Sequence, residues 1–326
     1  MSGSANSVRV VIAALLGNLL IALSKFVAAF VTGSAATLAE AVHSVADTGN
    51  QILLLVGMRL SRRDPSEKHQ FGRTIERYFW PFIVSIMLFS VGGMFAAYEG
   101  VHKLRTLHEP ETAHGSNLWN YGVLGLSFIF ELYSCSVALA EFNKFRGTKR
   151  FFAALVETKD PTIPVVLMED IAALVGLAVA LCGVGLSDLT GWKGWDGVAS
   201  LAIGVLLCFV AFFLGRKTHS LLIGESATVE DRLRIRVITE GVVGVRRVRQ
   251  LLSVHRGPDD VLVAMKVDFD RALDIDHIEG LIDQIERELR KEMPHMRQIF
   301  IEPDSKYDGH ADPRPDASVL PPASKL

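Results

Sequence analysis

Six long apolar stretches occupy the first two thirds of the chain. A helix needs about 20 consecutive apolar residues to cross the roughly 30 Å hydrocarbon core of a membrane, and each stretch is of this order. The pattern therefore predicts six transmembrane helices within a membrane domain of residues 1–216. The predicted spans cover residues 8–32, 34–60, 79–103, 117–142, 163–187 and 196–215.

Lysine and arginine are unevenly distributed among the segments that flank these spans. One arginine lies at the start of the first span and many basic residues follow the second, fourth and sixth spans, whereas they are sparse in the other connections. Because cytoplasmic loops are enriched in Lys and Arg, both termini are predicted to be cytoplasmic. We expect a multi-pass protein of the bacterial inner membrane, with an organelle membrane as the alternative. The basic residues on the cytoplasmic side are Arg9, Arg62, Arg63, Lys68, Arg73, Arg77, Lys144, Arg146, Lys149, Arg150, Lys159, Arg216 and Lys217.

A soluble pattern replaces the apolar one after the sixth span. Over residues 217–304 the periodicity changes in the order helix, strand, strand, helix, strand. This order predicts a cytoplasmic α+β domain with a three-stranded sheet. Residues 305–326 are rich in Pro, Asp, Ala and Ser, a composition typical of a disordered tail.

The composition agrees with a membrane protein and argues against several other classes. Hydrophobic residues make up 49% of the 326 positions and the mean hydropathy is +0.29, which is high for a soluble domain. The net charge of −2 gives no general attraction to nucleic acid, so no such partner is expected. Cys135, Cys182 and Cys208 lie in apolar stretches without a CxxC spacing, which argues against a disulfide framework and a thiolate metal site.

Ionisable residues interrupt two of the spans. The residues that share one helical face of the second span are Glu40, His43, Asp47 and Asn50. Each ionisable group near the bilayer centre costs about 2.5–3.5 kcal/mol, so a cation or protons must offset the cost. Glu169 and Asp170 are adjacent in the fifth span. Since neighbouring helical residues point about 100° apart, one or both can face the second span.

One imidazole and up to three carboxylates form a ligand set that suits Zn²⁺ or a similar divalent ion. The pattern therefore predicts a translocation site where the second and fifth spans meet. Ser44, Asn50 and Gln51 are instead expected to hydrogen-bond one helix to another. Glu131, in the fourth span, is a lone acid that either pairs with a neighbouring helix or passes protons.

Two other function classes are compatible with a metal between the spans. A membrane receptor or scaffold would bind a metal or a partner without moving it. An intramembrane metalloenzyme would use the metal for catalysis, but the sequence has no HExxH motif and no evident nucleophile with a base. The protein is therefore expected not to be an enzyme and to carry no prosthetic group.

Several longer stretches resemble the cation diffusion facilitator family. They are NLLIALSKFVAAFVTGSAATLAEAVHSVADTGNQ in the first two spans, HQFGRTIERYFW at the third and GWDGVASLAIGVLL in the sixth. The resemblance implies a homodimeric antiporter that exchanges Zn²⁺ or a related divalent cation for protons at a tetrahedral site between the second and fifth spans. It also implies a metallochaperone-like cytoplasmic domain that joins the two protomers.

The fifth span departs from the common pattern of this family. The family's HxxxD or DxxxD would require a ligand at Val166, and valine cannot bind a metal. MEDIAAL and LLIGESA instead resemble the zinc transporter nine branch, which has the acidic pair at this place. The resemblance thus implies metal ligands at His43, Asp47 and Asp170, and Glu169 is predicted to replace the missing fourth ligand.

A second departure concerns the connection between the second and third spans. Arg73 stands where many relatives have the second histidine of an HxFGHG stretch, so no metal site is expected in this loop. Arg73 and Arg77 are expected to face lipid headgroups or an acidic patch.

The predicted function is a Zn²⁺/H⁺ antiporter that exports metal from the cytoplasm by alternating access. Because an oxygen-rich site also suits Mn²⁺, Fe²⁺ or Co²⁺, transport of one of these ions by the same fold is an alternative. A non-transporting, metal-sensing receptor or scaffold is the other alternative.

Overall fold

The computed structural model describes residues 2–32, 35–107, 117–192 and 194–304. The chain divides into two compact units, Met1–His219 and Ser220–Leu326. The predicted disordered tail, residues 305–326, lies outside the described residues.

The regular elements in the described part of the first unit are helices, and its long helices coincide with the six predicted spans. Three adjoining segments form the third span: α3 (Glu76–Met87), a π-helical segment (Leu88–Met94) and α4 (Phe95–Arg105). The remaining helices are α1 (Ser2–Thr32), α2 (Ala35–Leu60), α5 (Asn117–Arg146), α6 (Phe151–Glu157), α7 (Thr162–Thr190) and α8 (Gly194–Ile223). The short α6 and the π-helical segment are features that the sequence pattern did not predict.

Five of these long helices are, within the described residues, long and apolar enough to cross a membrane. They correspond to the first, third, fourth, fifth and sixth predicted spans. The second span corresponds to α2, in which many side chains before Ser44 fall outside the described residues. The predicted fold class, a six-helix membrane bundle followed by an α+β domain, is confirmed.

The third and sixth spans approach each other closely because glycines lie at their contact. A Cβ atom on Gly100 of α4 would lie 2.5 Å from the backbone nitrogen of Leu201 in α8. One on Gly204 of α8 would lie 2.5 Å from the backbone nitrogen of Ala97. Small residues allow helix backbones in a membrane to come this near, so these two spans pack through their main chains.

The first turns of helix α7 are buried inside the bundle. All residues from Thr162 to Leu167 are buried, and α7 packs against α5 and α1, while α1 packs against α2. This arrangement brings the polar residues of α2, α5 and α7 into one interior region.

The second unit is a three-stranded sheet covered by two helices. Its elements are α9 (Val229–Glu240), β1 (Val245–Gly257), β2 (Asp260–Phe269), α10 (Ile275–Glu292) and β3 (Met296–Pro303). The strand order is β1-β2-β3, with β1 antiparallel and β3 parallel to β2. Ile235, Ile285 and Leu289 pack from the helices onto the buried side chains of β2. The predicted order of helices and strands is therefore confirmed.

Local signals explain where the two helices of this unit begin. The side chain of Thr228 accepts a hydrogen bond from the backbone nitrogen of Asp231, and Asp274 does the same for His277. Such N-caps satisfy backbone donors that the first helical turn leaves without a partner.

Candidate cation site among the spanning helices

Four carboxylates from three helices interact electrostatically inside the first unit. Asp47 of α2 interacts with Glu169 of α7 and with Glu131 of α5, and Glu131 also interacts with Asp170 of α7. Lys25 of α1 is a further charged neighbour of Glu131. Residues that are far apart in sequence thus form one acidic cluster in the part of the bundle where α2, α5 and α7 meet.

Glu169 connects α7 to α2 through two amide side chains. Asn50 Nδ2 donates to one carboxylate oxygen at 3.1 Å and Gln51 Nε2 donates to the other at 3.0 Å. All three side chains are buried. Both oxygens of Glu169 therefore have neutral hydrogen-bond donors from the second span, on the side that was predicted to face the metal site.

Asp170 connects α7 to α5 instead. Ser134 Oγ donates to its carboxylate at 2.7 Å, and both residues are buried. The adjacent acids Glu169 and Asp170 therefore have partners on different helices, as the angle of about 100° between neighbouring helical side chains requires.

The four predicted ligands are only partly visible in the structure. His43 lies within α2, but its side chain is outside the described residues. Asp47 is half-buried, whereas Glu169 and Asp170 are buried. Among the described residues, no three His, Cys, Asp or Glu side chains converge closely enough to hold a metal. The assignment of His43, Asp47, Glu169 and Asp170 as ligands accordingly stays a prediction.

Sequence reasoning had identified some of the surrounding residues and missed others. Asn50 and Gln51 do hydrogen-bond one helix to another, as expected. In the sequence Glu131 is a lone acid of the fourth span, but in the structure it belongs to the acidic cluster. Ser134 was not predicted, because an isolated serine in an apolar helix carries no signal of its own. Val166, where the family pattern would place a ligand, is completely buried.

A different kind of acidic contact lies at the start of α7. The guanidinium of Arg77, at the beginning of α3, contacts Asp160 at 2.7 Å, and Ser7 Oγ of α1 donates to the same carboxylate oxygen at 2.9 Å. Burial by itself would raise the pKa of Asp160, but the charge and hydrogen bond of Arg77, helped by Thr162, hold the pKa of this carboxyl below its usual value.

This contact refines the expectation for the two arginines of the loop after α2. Of the two expected surroundings, lipid headgroups or an acidic patch, the structure gives Arg77 an acidic partner, the single carboxylate of Asp160, and Arg77 is buried. Arg73 forms an ion pair with Glu76 at 3.2 Å. The ion pair of Arg77 instead ties α3 to the segment that leads into α7.

Comparisons with known proteins agree with the division of the chain into two units. Residues 11–223 match the model of the cation efflux transmembrane domain, and residues 228–306 match that of the cation efflux protein cytoplasmic domain. The second match begins just before α9 and includes the whole sheet.

Similar curated proteins come from animals and a plant. The chain is 32% identical to the proton-coupled zinc antiporter SLC30A9, mitochondrial, of Xenopus laevis, over 90% of this chain and 59% of that protein. It is 31% identical to the Homo sapiens protein of the same name, over 90% of this chain and 58% of that protein. Metal tolerance protein C4 of Arabidopsis thaliana is 31% identical over 81% of this chain and 57% of that protein.

The chain therefore spans less than two thirds of the length of these relatives. The similarity nonetheless covers both units and confirms the resemblance that the motifs indicated. With a transmembrane-domain match over residues 11–223 and a cytoplasmic-domain match after it, this multi-pass membrane protein belongs to the cation efflux family.

Proposed function

We propose that this protein is a proton-coupled antiporter that exports a divalent metal cation, with Zn²⁺ as the best-supported substrate. Two kinds of support exist besides the family membership. The similar animal proteins are named as proton-coupled zinc antiporters. Three acids of the cluster, Glu131, Glu169 and Asp170, also lie on α5 and α7, two of the helices that are long and apolar enough to cross a membrane.

The observation that carries the proposal is the way in which Glu169 and Asp170 are buried. Among the described residues, their hydrogen-bond donors are the amides of Asn50 and Gln51 and the hydroxyl of Ser134, all of which are neutral. Neutral donors orient a carboxylate without cancelling its charge. Ionisable groups inside a membrane are costly and are retained where they serve ion pathways or proton relays. A cation and protons that occupy the cluster in turn would supply the missing charge.

Competition between metal and protons provides the coupling. A metal needs a neutral imidazole and ionised carboxylates, and protons neutralise those same carboxylates. Binding of the metal therefore releases protons, and binding of protons releases the metal. The ligands that we propose for this exchange are His43, Asp47, Glu169 and Asp170, with Glu169 in the role that Val166 cannot perform.

Alternating access would result from a movement of α7 relative to α2 and α5. Glu169 is attached to α2 and Asp170 to α5, so a rotation or shift of α7 changes the distances within the cluster. We propose that one arrangement opens the site to the cytoplasm and the other to the opposite side. The ion gradients then determine the direction of net transport.

The proposal extends to assembly and orientation. The match to the cytoplasmic domain of cation efflux proteins supports a homodimer joined through the second unit. The excess of Lys and Arg in alternate connections supports cytoplasmic termini. We propose a bacterial inner membrane as the location; the similar animal proteins are named as mitochondrial, which supports an organelle membrane as the alternative.

Flux measurements in sealed liposomes test the proposal. Protein reconstituted with a pH gradient is expected to move Zn²⁺ against the proton flow, and Asp47→Ala and Asp170→Ala are expected to abolish this movement. Glu141→Gln is the matched control, because Glu141 is a buried acid of α5 that pairs with Lys144 at 2.7 Å instead of joining the cluster. Metal binding without any flux would instead support the receptor or scaffold.

Glu169→Ala tests the substitute ligand separately. If it transports normally while Asp47→Ala and Asp170→Ala fail, Glu169 is not the fourth ligand.

Transport of Mn²⁺, Fe²⁺ or Co²⁺ is a second candidate that one feature favours. Val166 removes a ligand that is His or Asp in the common family pattern, and the acids that remain make the cluster rich in oxygen. Oxygen ligands favour harder divalent ions such as Mn²⁺. Competition of each ion with Zn²⁺ uptake in the same liposomes ranks the substrates, and a preference for Mn²⁺ would replace Zn²⁺ in the proposal.

A further inference from the structure

Two buried carbonyl oxygens beside Glu169 accept no hydrogen bond from the described part of the protein. They are Asn50 Oδ1 and Gln51 Oε1. Asn50 is 3% exposed and Gln51 is completely buried, so bulk water does not replace the missing donors. Buried polar groups in native proteins are nearly always hydrogen-bonded, and each exception needs a physical explanation.

The position of these oxygens suggests what satisfies them. Each belongs to an amide whose nitrogen donates to the carboxylate of Glu169, at 3.1 Å for Asn50 and 3.0 Å for Gln51. Both carbonyl oxygens therefore lie within one small region with the two carboxylate oxygens. Rotation of either amide would bring its oxygen toward the carboxylate, and the two would repel each other unless a positive ion lay between them.

We infer that Asn50, Gln51 and Glu169 form an oxygen-only station for the divalent cation, next to the predicted ligands on α2. This inference deepens the proposed function, because the station lies on the same cation path. Asn50 and Gln51 follow Asp47 by about one helical turn of 5.4 Å, in the direction of Arg59. Glu169 is the residue shared by the station and the proposed ligand set.

The rearrangement that binding requires is small. The amides of Asn50 and Gln51 turn about their last side-chain bonds, so that their oxygens, and no longer their nitrogens, face the position of the cation. Glu169 then contributes its charge, and water completes the coordination. Without a cation, the amide nitrogens donate hydrogen bonds to the carboxylate of Glu169. These hydrogen bonds keep the Glu169 side chain in place for the next ion.

The ligand chemistry predicts the preference of the station. Carbonyl and carboxylate oxygens suit hard cations such as Mn²⁺, whereas imidazole suits Zn²⁺. His43 would add the only nitrogen ligand of the proposed set, and it lies on α2 before Asp47. A station without a nitrogen ligand therefore favours Mn²⁺ more than the neighbouring set with His43 does. The cation path then has two positions that differ in ion selectivity.

Paired substitutions at Gln51 separate an oxygen ligand from a structural amide. Gln51→Leu removes both the oxygen and the nitrogen, whereas Gln51→Glu keeps an oxygen and removes the nitrogen that holds Glu169. Mn²⁺ binding to the purified full chain in detergent is measured by calorimetry and by the electron paramagnetic resonance signal of the bound ion. The same titrations are carried out in an Asp47→Ala background, which disables the neighbouring ligand set.

We expect Gln51→Leu to weaken Mn²⁺ binding by about tenfold or more, the range for groups that support a metal. Gln51→Glu should bind Mn²⁺ at least as tightly as the parent. If both substitutions weaken binding equally, the amides only position Glu169 and the station does not exist. Unchanged binding in Gln51→Leu would overturn the inference as well.

Controls exclude a loss of fold as the cause. Thr48→Val changes another buried polar residue of α2, whose hydroxyl bonds only to the carbonyl of Ser44 within the helix among the contacts described, and it should leave Mn²⁺ binding unchanged. Asn50→Leu and Asn50→Asp repeat the comparison at the second amide if a Gln51 variant does not fold, and they are judged by the same criteria.

The outcome is also distinguishable from a failure of the proposed function. If liposomes show no flux but Gln51→Leu and Gln51→Glu differ as expected in Mn²⁺ binding, transport is wrong and the station stands. If flux is normal and the two variants bind Mn²⁺ equally, transport stands and the station is wrong.

Discussion

Acids with little solvent exposure, one just before α7 and two within it, differ in what compensates their charge. Asp160, just before the helix, contacts the guanidinium of Arg77 at 2.7 Å. Glu169 and Asp170, further along, receive hydrogen bonds from neutral amides and a hydroxyl. A fixed arginine makes the first acid a permanent part of the fold. Neutral donors leave the charge of the other two available to an ion that can arrive and leave.

The second unit contains a buried acid that, like Asp160, pairs with an arginine. Asp268 of β2 is 4% exposed and contacts Arg249 of the neighbouring strand at 2.6 Å. This acid lies in a sheet with no spanning helix among the described residues of its own domain, 228–304, and its partner is fixed as well. The partner of a buried carboxylate, more than its residue type or its burial, therefore distinguishes a structural role from the transport role that we propose.

The largest expected effect is on transport, when an acid with neutral partners loses its charge. Asp170→Asn keeps the shape of the side chain, and it should reduce Zn²⁺ flux by at least about 100-fold, since even outer-shell partners of a metal contribute about 10–100-fold. Its thermal unfolding should occur at or above the temperature of the parent, because one uncompensated charge has gone. A large loss of thermal stability with flux retained would assign Asp170 to the structural group.

The next largest effect is on stability, when an acid with a fixed partner is removed. Asp160→Ala leaves the Arg77 guanidinium buried without its counter-charge, and breaking a buried pair in this way costs about 3–5 kcal/mol. Thermal and denaturant unfolding of the solubilised protein measure the loss. The double variant Arg77→Met with Asp160→Ala should lose less than Asp160→Ala alone.

The control for this prediction is an exposed ion pair. Lys149 and Glu157 contact each other at 2.7 Å with both side chains more than half exposed. Glu157→Gln should change the stability by about 0–1 kcal/mol. If Glu157→Gln and Asp160→Ala lower the stability by equal amounts, burial does not strengthen the contribution of the Arg77–Asp160 pair, and the prediction is wrong.

A smaller effect is expected from the hydroxyl that orients Asp170. Ser134→Ala removes the donor at 2.7 Å, so the carboxylate loses one constraint but keeps its charge. Metal affinity measured by equilibrium binding should fall about tenfold, and Ser134→Thr, which keeps a hydroxyl, should restore most of it. Equal affinity in the parent and in Ser134→Ala would show that the serine does not position Asp170.

The smallest expected effect is a gradual loss, at acid pH, of the stability that the Arg77–Asp160 pair contributes. The pKa of Asp160 is held below its usual value by Arg77 after the opposing effect of burial. The contribution of this pair to stability is therefore fully present above the unfolded carboxyl pKa of about 3.9, and it is lost as the pH falls through the lower folded pKa. The difference in melting temperature between the parent and Asp160→Asn should be constant from about pH 7 to 5 and should shrink below about pH 4. A difference that already disappears between pH 7 and 5 would contradict this assignment.

Features that depend on neighbouring positions in the chain were predictable from the sequence. The six spans follow from apolar stretches of sufficient length, and α2, α5, α7 and α8 lie close to their predicted ranges. The second unit has the predicted order of helices and strands, because periodicities of 3.6 and 2 are local properties. The presence of acids within the second and fifth spans, and hence the prediction of a cation site between them, also came from the sequence alone.

The tertiary structure decided which of these polar residues meet. Gln51 and Glu169 are 118 positions apart, and Ser134 and Asp170 are 36 apart, so only the packing of α2, α5 and α7 brings them together. The same packing placed Arg77 inside the bundle against Asp160, where the loop sequence had indicated lipid headgroups or an acidic patch. Residue type and periodicity determine which groups a helix carries and on which face. The partner that each buried charge meets depends on how the helices pack, and this partner separates the acids that stabilise the bundle from those that we propose to carry the cation.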